Sequence, residues 1–561
     1  MKYPTYEIAP ELMAQIDQWR DSDCDPGCVV DLDFLVQSAM RGDDAAMDEV
    51  RDAFSGNLAF GTAGLRGRMG PGPNRMNAAV VRRTAFALAH TLGGTTAEPG
   101  QQGRPLVIIG YDARLRSQHF AQESARVFQA AGWQACLLPQ ALPTPVLAFA
   151  VRQLQADLGI MVTASHNPAA DNGYKVYLAD GRQINSPVDT LISQAIQVAP
   201  AASHIPVDNS WETLNGSVLA DYLEVAASVV RPGGPRDLTV VHTALHGVGS
   251  AVFTHAMEQA GFAPPRTVRE QAEPDADFPT VAFPNPEEVG AMDLALALAA
   301  QSSTDIVIAH DPDADRCAVA ISQSDQWRML SGDEVGALLA WWIIKRGDRP
   351  TGCFAASIVS GSLVERMAKK AHIPFQRTLT GFKWISRVPD LAFGYEEALG
   401  YCVDPTHVAD KDGITAALLM CELAAQLKSE GRMISDVLDD LACEYGIFLT
   451  AQVSVRLSHA AGISTLMDAI LAEQPQAVAG SRVETMEDLS LGVDGLPPTA
   501  GVRIHLEDGS RVIIRPSGTE PKVKAYLQVV DAVTDDLASA RESAEFRMNV
   551  LARDVRALLG A

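Results

Sequence analysis

The chemistry in this 561-residue chain sits in short polar stretches that each follow an apolar run. Asp311-Pro312-Asp313-Ala314-Asp315-Arg316 follows DIVIAH and alternates three carboxylates with small or rigid residues. In an extended loop alternate side chains point the same way, so all three are expected to face one hard cation that removes their mutual repulsion. A calcium hand would need Gly at its sixth position and Glu at its twelfth, and here those are Arg316 and Ser322. Magnesium fits better, because it binds a few carboxylates together with phosphate oxygens. A solvated acidic turn is the competing reading. Thr163-Ala164-Ser165-His166-Asn167-Pro168 follows LGIMV. A strand end delivers a side chain to the rim of a parallel sheet, which makes Ser165 a candidate nucleophile or phosphate carrier. Ala164 is expected to leave it accessible, His166 to stabilise phosphate charge and Pro168 to stiffen the exit. An ordinary polar turn competes with that reading.

A third stretch, Arg515-Pro516-Ser517-Gly518-Thr519-Glu520-Pro521-Lys522, offers an arginine fork for phosphate, two hydroxyls and a glycine that lets backbone N–H groups approach an anion. It lacks the GxxxxGK[ST] order of a Walker loop. In Gly394-Tyr395-Glu396-Glu397-Ala398-Leu399-Gly400 the paired carboxylates could accept hydroxyl protons, although a Glu-Glu pair is commonly a solvated face. Arg66 lies in the glycine-flanked stretch FGTAGLRG, and Lys411 lies between Asp410 and Asp412.

Elements must hold these loops. Pro105–Tyr111, Leu158–Val162, Leu238–Val241, Asp305–Ala309 and Cys353–Val359 read as buried strands. Gln118–Ala131, Met292–Ala300 and Leu363–Ala371 read as helices between them. That alternation predicts parallel sheets in α/β layers. Near the C-terminus Val502–Leu506, Arg511–Ile514 and Val523–Val530 predict short strands, the first two joined by a hairpin turn at Asp508-Gly509. At roughly 150 residues per domain, the length suggests about four domains. The formal net charge of −24 argues against nucleic acid or an anionic membrane as main partner. It also requires local clusters of Arg and Lys wherever a dianion binds. Eight scattered cysteines suggest free thiols in a reducing cytosol. No signal-peptide core follows Lys2, and Val335–Ile344 is too short to span a bilayer.

Taken together, TASHNP, DPDADR and RPSGTEPK resemble the α-D-phosphohexomutase superfamily, in the family's own order and over about residues 54 to 530. FGTAGLRG, TGFKW and GYEEALGY are most similar to the branch of phosphoglucomutases that includes phosphopentomutase and glucose-1,6-bisphosphate synthase. The resemblance implies four domains around a central cleft, three α/β mixed-sheet domains followed by a smaller α+β domain. The boundaries expected are 1–215, 216–325, 326–445 and 446–561. It implies that Ser165 carries phosphate and shares Mg²⁺ with Asp311, Asp313 and Asp315. It places Arg66, His166, Lys175 and Lys411 among the basic residues of the cleft. Arg316, Thr380, Gly381, Lys383, Glu396, Glu397, Arg515, Ser517, Gly518 and Thr519 fall in its substrate-binding positions. Ala398 stands where many relatives have Ser, and Pro312 and Ala314 stand where many have Gly.

The activity implied is interconversion of glucose 1-phosphate and glucose 6-phosphate, with a sugar bisphosphate as intermediate and activator. Phosphopentomutase, phosphomannomutase, glucose-1,6-bisphosphate synthase and a catalytically silent regulatory homologue are the alternatives. Lys411 is the expected base, its pKa lowered by cationic neighbours and desolvation, with Lys175 and His166 as alternatives. A phosphosugar is the expected partner of a cytoplasmic monomer or homodimer.

Overall fold

The computed structural model describes residues 7–61, 64–93, 103–323, 326–347, 351–456, 460–516, 522–534 and 536–560. The chain divides into two compact units, one of Met1–Ala320 with Asp404–Glu422 and one of Ile321–Val403 with Leu423–Ala561.

The first unit opens with three helices, Pro10–Ser22, Pro26–Met40 and Asp44–Ala53. Asp25 and Asp43 cap the second and third, each accepting a hydrogen bond from a first-turn backbone N–H. A six-stranded sheet follows, ordered Leu65–Arg68, Asp171–Leu178, Leu158–Val162, Leu106–Tyr111, Gln134–Leu137 and Glu212–Thr213. All five residues of LGIMV are buried, as a strand covered on both faces requires. The centre of this sheet is parallel, but Leu158–Val162 runs antiparallel to Asp171–Leu178, which runs antiparallel to Leu65–Arg68. In the second sheet Val240–Thr243 is parallel to Arg266–Thr267 and to Ile306–Ala309, and Ile306–Ala309 is antiparallel to Ala318–Gln323.

In the second unit Phe375–Thr378, Cys353–Ser357 and Leu391–Glu396 are parallel, and Gly400–Cys402 closes antiparallel on Leu391–Glu396. The last sheet is antiparallel, ordered Ile447–Arg456, Lys522–Asp531, Arg511–Pro516, Val502–Leu506, Ser481–Asp488 and Ala477–Val478. Its inward residues, among them Ile504, Val512, Ile514 and Leu527, pack with Met548, Leu551 and Val555 of the helix Leu537–Leu558. This is the α+β domain expected, and Gly509 takes the left-handed backbone (φ 83°) that its hairpin turn needs.

The mixed sheets expected of the first three domains arise through one recurring device. Four of the chemistry-bearing stretches connect two antiparallel neighbours at a sheet's end, whereas Lys411 lies between the strand Gly400–Cys402 and the helix Gly413–Ser429. Residues 163–170, 310–317 and 397–399 join such pairs, and 517–521 joins another. A short antiparallel return keeps a loop tight where a helical crossover would carry the chain away. Val335–Ile344 lies within the 14-residue helix Gly332–Lys345, and no helix among the described residues is long and apolar enough to cross a membrane. All eight cysteines are free thiols.

Candidate active site

Ser165 stands just beyond Leu158–Val162 with its backbone in the left-handed region (φ 53°), a costly conformation for a residue with a Cβ. The surroundings enforce it. The Ser165 N–H donates to Thr163 Oγ1 at 2.9 Å, and Thr163 Oγ1 donates to Asp112 Oδ2 at 2.6 Å. Arg114 donates to the carbonyls of Ser165, Asn167, Pro168 and Asp171 at 2.5–3.2 Å, gripping the loop from below. Ser165 is 3% exposed, so the accessible side chain expected from Ala164 is corrected. Its Oγ donates to Asp311 Oδ2 at 2.7 Å and lies 3.2 Å from His166 Nδ1.

The three aspartates converge, with one carboxylate oxygen of each within 4.8 Å of the others. The reason differs from the one expected. The loop is a tight turn rather than an extended strand. The Ala314 N–H donates to Asp311 O at 2.9 Å, and Ala314 itself is left-handed (φ 52°). Gly247 lets the neighbouring loop close on it, since a Cβ there would fall 2.3 Å from Pro312 Cα.

Lys175 Nζ lies 2.6 Å from Asp313 Oδ2 and 2.7 Å from Asp315 Oδ2, and Lys411 Nζ lies 3.2 Å from Asp315 Oδ2 and 3.8 Å from Asp410 Oδ1. Lys411 therefore faces carboxylates as well as the cationic neighbour expected, since Lys175 contacts the same Asp315 oxygen. Thr144 Oγ1 donates to Asp313 Oδ2 at 2.6 Å. Burial, then Asp313 and Asp315, push Asp311 well above the usual carboxylate range. Burial acts the same way on Asp315, but Lys175, Lys411 and Arg316 outweigh it and hold that group low. Asp313 is also held low, by Lys175 and Thr144 against burial and Asp315. Asp313 Oδ1 and Asp315 Oδ1 are buried with no hydrogen-bond partner among the described residues. A buried anionic oxygen without a partner is expensive. An all-oxygen set with open lone pairs and one carboxylate resisting ionisation fits a hard divalent cation.

Arg66 Nη1 donates to Asn167 Oδ1 at 3.1 Å, linking it to the serine loop. Burial, then Arg316 and Arg66, push His166 well below its ordinary value. The Arg316 N–H donates to Asp311 Oδ1 at 3.1 Å, so this residue supports the aspartate loop as well as facing the site.

The second unit holds the remaining candidates. Glu396 is buried at the end of Leu391–Glu396. Glu397 accepts from Ser357 Oγ at 2.9 Å and Ser360 Oγ at 3.0 Å. Burial, then Glu396 and Asp333, raise Glu397 to about 7. Gly381 (φ 108°) precedes the short helix Phe382–Ile385, which carries Lys383 with Nζ 5.6 Å from the centroid of the Trp384 ring. Thr380 Oγ1 and Arg515 Nε are buried with no hydrogen-bond partner among the described residues. Arg515 Nη2 donates to Thr499 Oγ1 at 3.2 Å, and burial lowers its pKa. Ser517, Gly518 and Thr519 lie outside the described residues.

Sequence reasoning missed Asp112, Arg114, Thr144 and His310. A signal existed in YDAR, since polar residues directly after the strand Leu106–Tyr111 stand at the same sheet end as Ser165.

The phosphoglucomutase/phosphomannomutase family matches in sequence over all four of its domains. The alpha/beta/alpha domains I, II and III match residues 57–201, 220–324 and 331–445, and the C-terminal domain matches 466–540. A Haemophilus influenzae protein named "Probable phosphomannomutase" is 42% identical, over 81% of this chain and 92% of that one. The Homo sapiens protein named phosphopentomutase is 36% identical over 86% of each. A Staphylococcus epidermidis protein named phosphoglucomutase is 34% identical, over 89% of this chain and 96% of that one. A Thermus thermophilus crystal structure superposes with a TM-score of 0.71 over 90% of this chain and all of that one; at 24% identity it bears on the fold alone. With a matching fold, four matching domains and an intact serine and aspartate constellation, the chain belongs to the phosphoglucomutase/phosphomannomutase family of the α-D-phosphohexomutase superfamily, and it is a phosphotransferring isomerase.

Proposed function

We propose that this phosphomutase is magnesium-dependent and interconverts glucose 1-phosphate and glucose 6-phosphate through phosphorylated Ser165 and glucose 1,6-bisphosphate, which also serves as activator. The observation that carries the reading is the Ser165 hydroxyl held 2.7 Å from Asp311 on a strained backbone, beside two buried lysines. In the first transfer the Ser165 Oγ–P bond breaks as a P–O bond forms to the free sugar hydroxyl, and the leaving Ser165 Oγ takes up a proton from solvent. The hydroxyl proton passes to Lys411 Nζ, with His166 as the alternative acceptor. Burial lowers the pKa of Lys175, but Asp313 and Asp315 outweigh it and raise that pKa, which disfavours Lys175 in this role. The bisphosphate then turns around, and the second transfer returns a phosphoryl group to Ser165 Oγ from the other end. Asp311, Asp313 and Asp315 would hold Mg²⁺ with a phosphoserine oxygen, and the ion neutralises charge that develops on the phosphoryl group. Arg66 and Arg316 orient the phosphoryl oxygens. Arg515, with Ser517, Gly518 and Thr519, clamps the phosphate that is not transferred and turns binding energy into positioning. Glu396 and Glu397 accept from sugar hydroxyls, and Thr380, Gly381 and Lys383 complete the substrate contacts.

Four domains bounded near residues 215, 325 and 445, and a cytosolic monomer or homodimer, belong to the same proposal; the eight free thiols support the reducing compartment. The relative named phosphopentomutase and the missing hydroxyl at Ala398 favour pentose 1-phosphates as the second reading. The test is kcat/KM for glucose, mannose, ribose and deoxyribose 1-phosphates, each with and without catalytic glucose 1,6-bisphosphate. Glucose 1-phosphate is expected to lead and to need the activator. A wide lead for mannose or ribose overturns the sugar assignment, net accumulation of bisphosphate identifies a synthase, and no turnover with any of them identifies a silent homologue.

A further inference from the structure

Two histidines lie beneath the site, and the mechanism above does not use them. His242, in Val240–Thr243, and His310, just beyond Ile306–Ala309, are both fully buried on neighbouring parallel strands. His242 Nε2 is 2.8 Å from His310 Nδ1, and His310 Nε2 is 3.0 Å from Gly413 O. A carbonyl only accepts, so His310 donates through Nε2–H. In the neutral ring Nδ1 then accepts, from His242 Nε2–H. The geometry thus sets both tautomers. Phe253 packs against both rings, with centroids 4.8 and 5.0 Å away, and holds their planes. Two imidazoles in a sheet interior cost desolvation that apolar side chains would not; what they secure is one carbonyl.

That carbonyl belongs to the lysine loop. Gly413 stands two residues after Lys411, its N–H donates to Ala314 O at 3.3 Å, and a Cβ on it would fall 2.3 Å from Arg316 O. His310 directly precedes Asp311. One side chain therefore joins the start of the aspartate loop to the backbone of the lysine loop. Two further tethers hold side chains instead: Tyr177 Oη donates to Asp410 Oδ2 at 2.7 Å, and Tyr222 Oη to Asp412 Oδ1 at 3.0 Å.

We propose that His242 and His310 are positioning residues that hold Lys411 Nζ at its 3.2 Å distance from Asp315. Neither touches substrate, and the inference rests on the reading of Lys411 as proton acceptor. The experiment is a mutant cycle. His310→Phe and His242→Phe, which keep ring volume, are made in the wild type and in Lys411→Ala, with kcat, KM and thermal melting measured for each. In the wild-type background His310→Phe is expected to lower kcat about tenfold or more with little change in KM, because a displacement near 1 Å at a reacting group is that costly. His242→Phe, one hydrogen bond further away, is expected to lower it less. In the Lys411→Ala background neither should lower kcat further. Equal losses in both backgrounds, or an unchanged kcat in the wild-type background, would overturn the positioning role while leaving Lys411 as base. A fully active Lys411→Ala would overturn the base assignment and this inference together. Should His310→Phe fail to fold, the His242→Phe cycle decides the matter by the same criteria.

Discussion

Buried polar atoms without a hydrogen-bond partner among the described residues differ in kind between the two regions that carry the chemistry. Around Ser165 they include two carboxylate acceptors, Asp313 Oδ1 and Asp315 Oδ1, beside the donor Arg114 Nε; on the Arg515 strand they are the donors Arg515 Nε and Arg511 Nε. Open carboxylate oxygens suit a cation and open guanidinium donors an anion, which supports the proposal of metal in the first region and phosphate in the second. Rigidity differs as well. The serine loop is gripped by four hydrogen bonds from Arg114 alone, whereas among the described residues the Arg515 side chain makes one, at 3.2 Å to Thr499. Bond-making requires groups fixed in advance. On the proposed reaction, a clamp that releases a bisphosphate and takes it back at its other end works better with looser support.

This contrast can be broken most sharply at Ser165. Ser165→Ala is expected to lower kcat at least about a thousandfold, since loss of a nucleophile removes the covalent route. The melting temperature should change little, and intact-mass analysis should show a phosphate on the wild type alone. A turning-over Ser165→Ala enzyme would end the covalent reading. Exhaustive chelation comes next. Activity should fall to background and return with Mg²⁺, but return poorly with Ca²⁺, whose longer, looser coordination misplaces phosphoryl oxygens. Activity that survives chelation would mean that the open aspartate oxygens serve no cation.

Arg515→Lys probes the donor side. It replaces a fork by a point charge and should raise KM for the phosphosugar by about tenfold to a hundredfold, with a smaller fall in kcat. A drop confined to kcat would make Arg515 part of the rigid region instead. Ala398→Ser should shift the glucose-to-ribose ratio of kcat/KM by about 1 kcal/mol, some fivefold; an unmoved ratio would place Ala398 away from the sugar.

A last effect concerns stability rather than turnover. Glu397 is raised from 4.5 to about 7 by burial and its acidic neighbours. Between those values the folded state binds a proton that the unfolded chain has lost. Stability therefore falls as pH rises through this window and stays low above it. Glu397→Gln should remove that slope, read as the difference in melting temperature between the variants from pH 4.5 to pH 7.5. Parallel curves would refute the raised value.

Much of the site was legible because its chemistry fixes residue types at short range. Three carboxylates in five residues, or a serine after a buried strand, carry their meaning locally. The supports were not legible, because they come from distant sequence. Arg114 reaches a loop some fifty residues on, and His310 grips a carbonyl 103 residues away. The aspartate loop was misread as extended because alternation along a strand and convergence in a turn give the same spacing of aspartates. Strands were legible as apolar runs, but their direction depends on connections, so the mixed sheets were expected from the resemblance and not from the residues, which do not mark the antiparallel returns that carry four of the loops.

The return of Asp404–Glu422 to the first unit has a consequence for anyone dividing this gene. A fragment ending at Ala320 would keep the serine and the aspartates while lacking Lys411, the Asp410 and Asp412 carboxylates that Tyr177 and Tyr222 grip, and the Gly413 carbonyl under His310. Such a piece would expose two phenols, an imidazole and a carboxylate cluster to solvent at once. Supplying residues 404–422 in trans or through a linker is the way to make the first unit stand alone, and complementation between the two pieces would report on how tightly that segment docks.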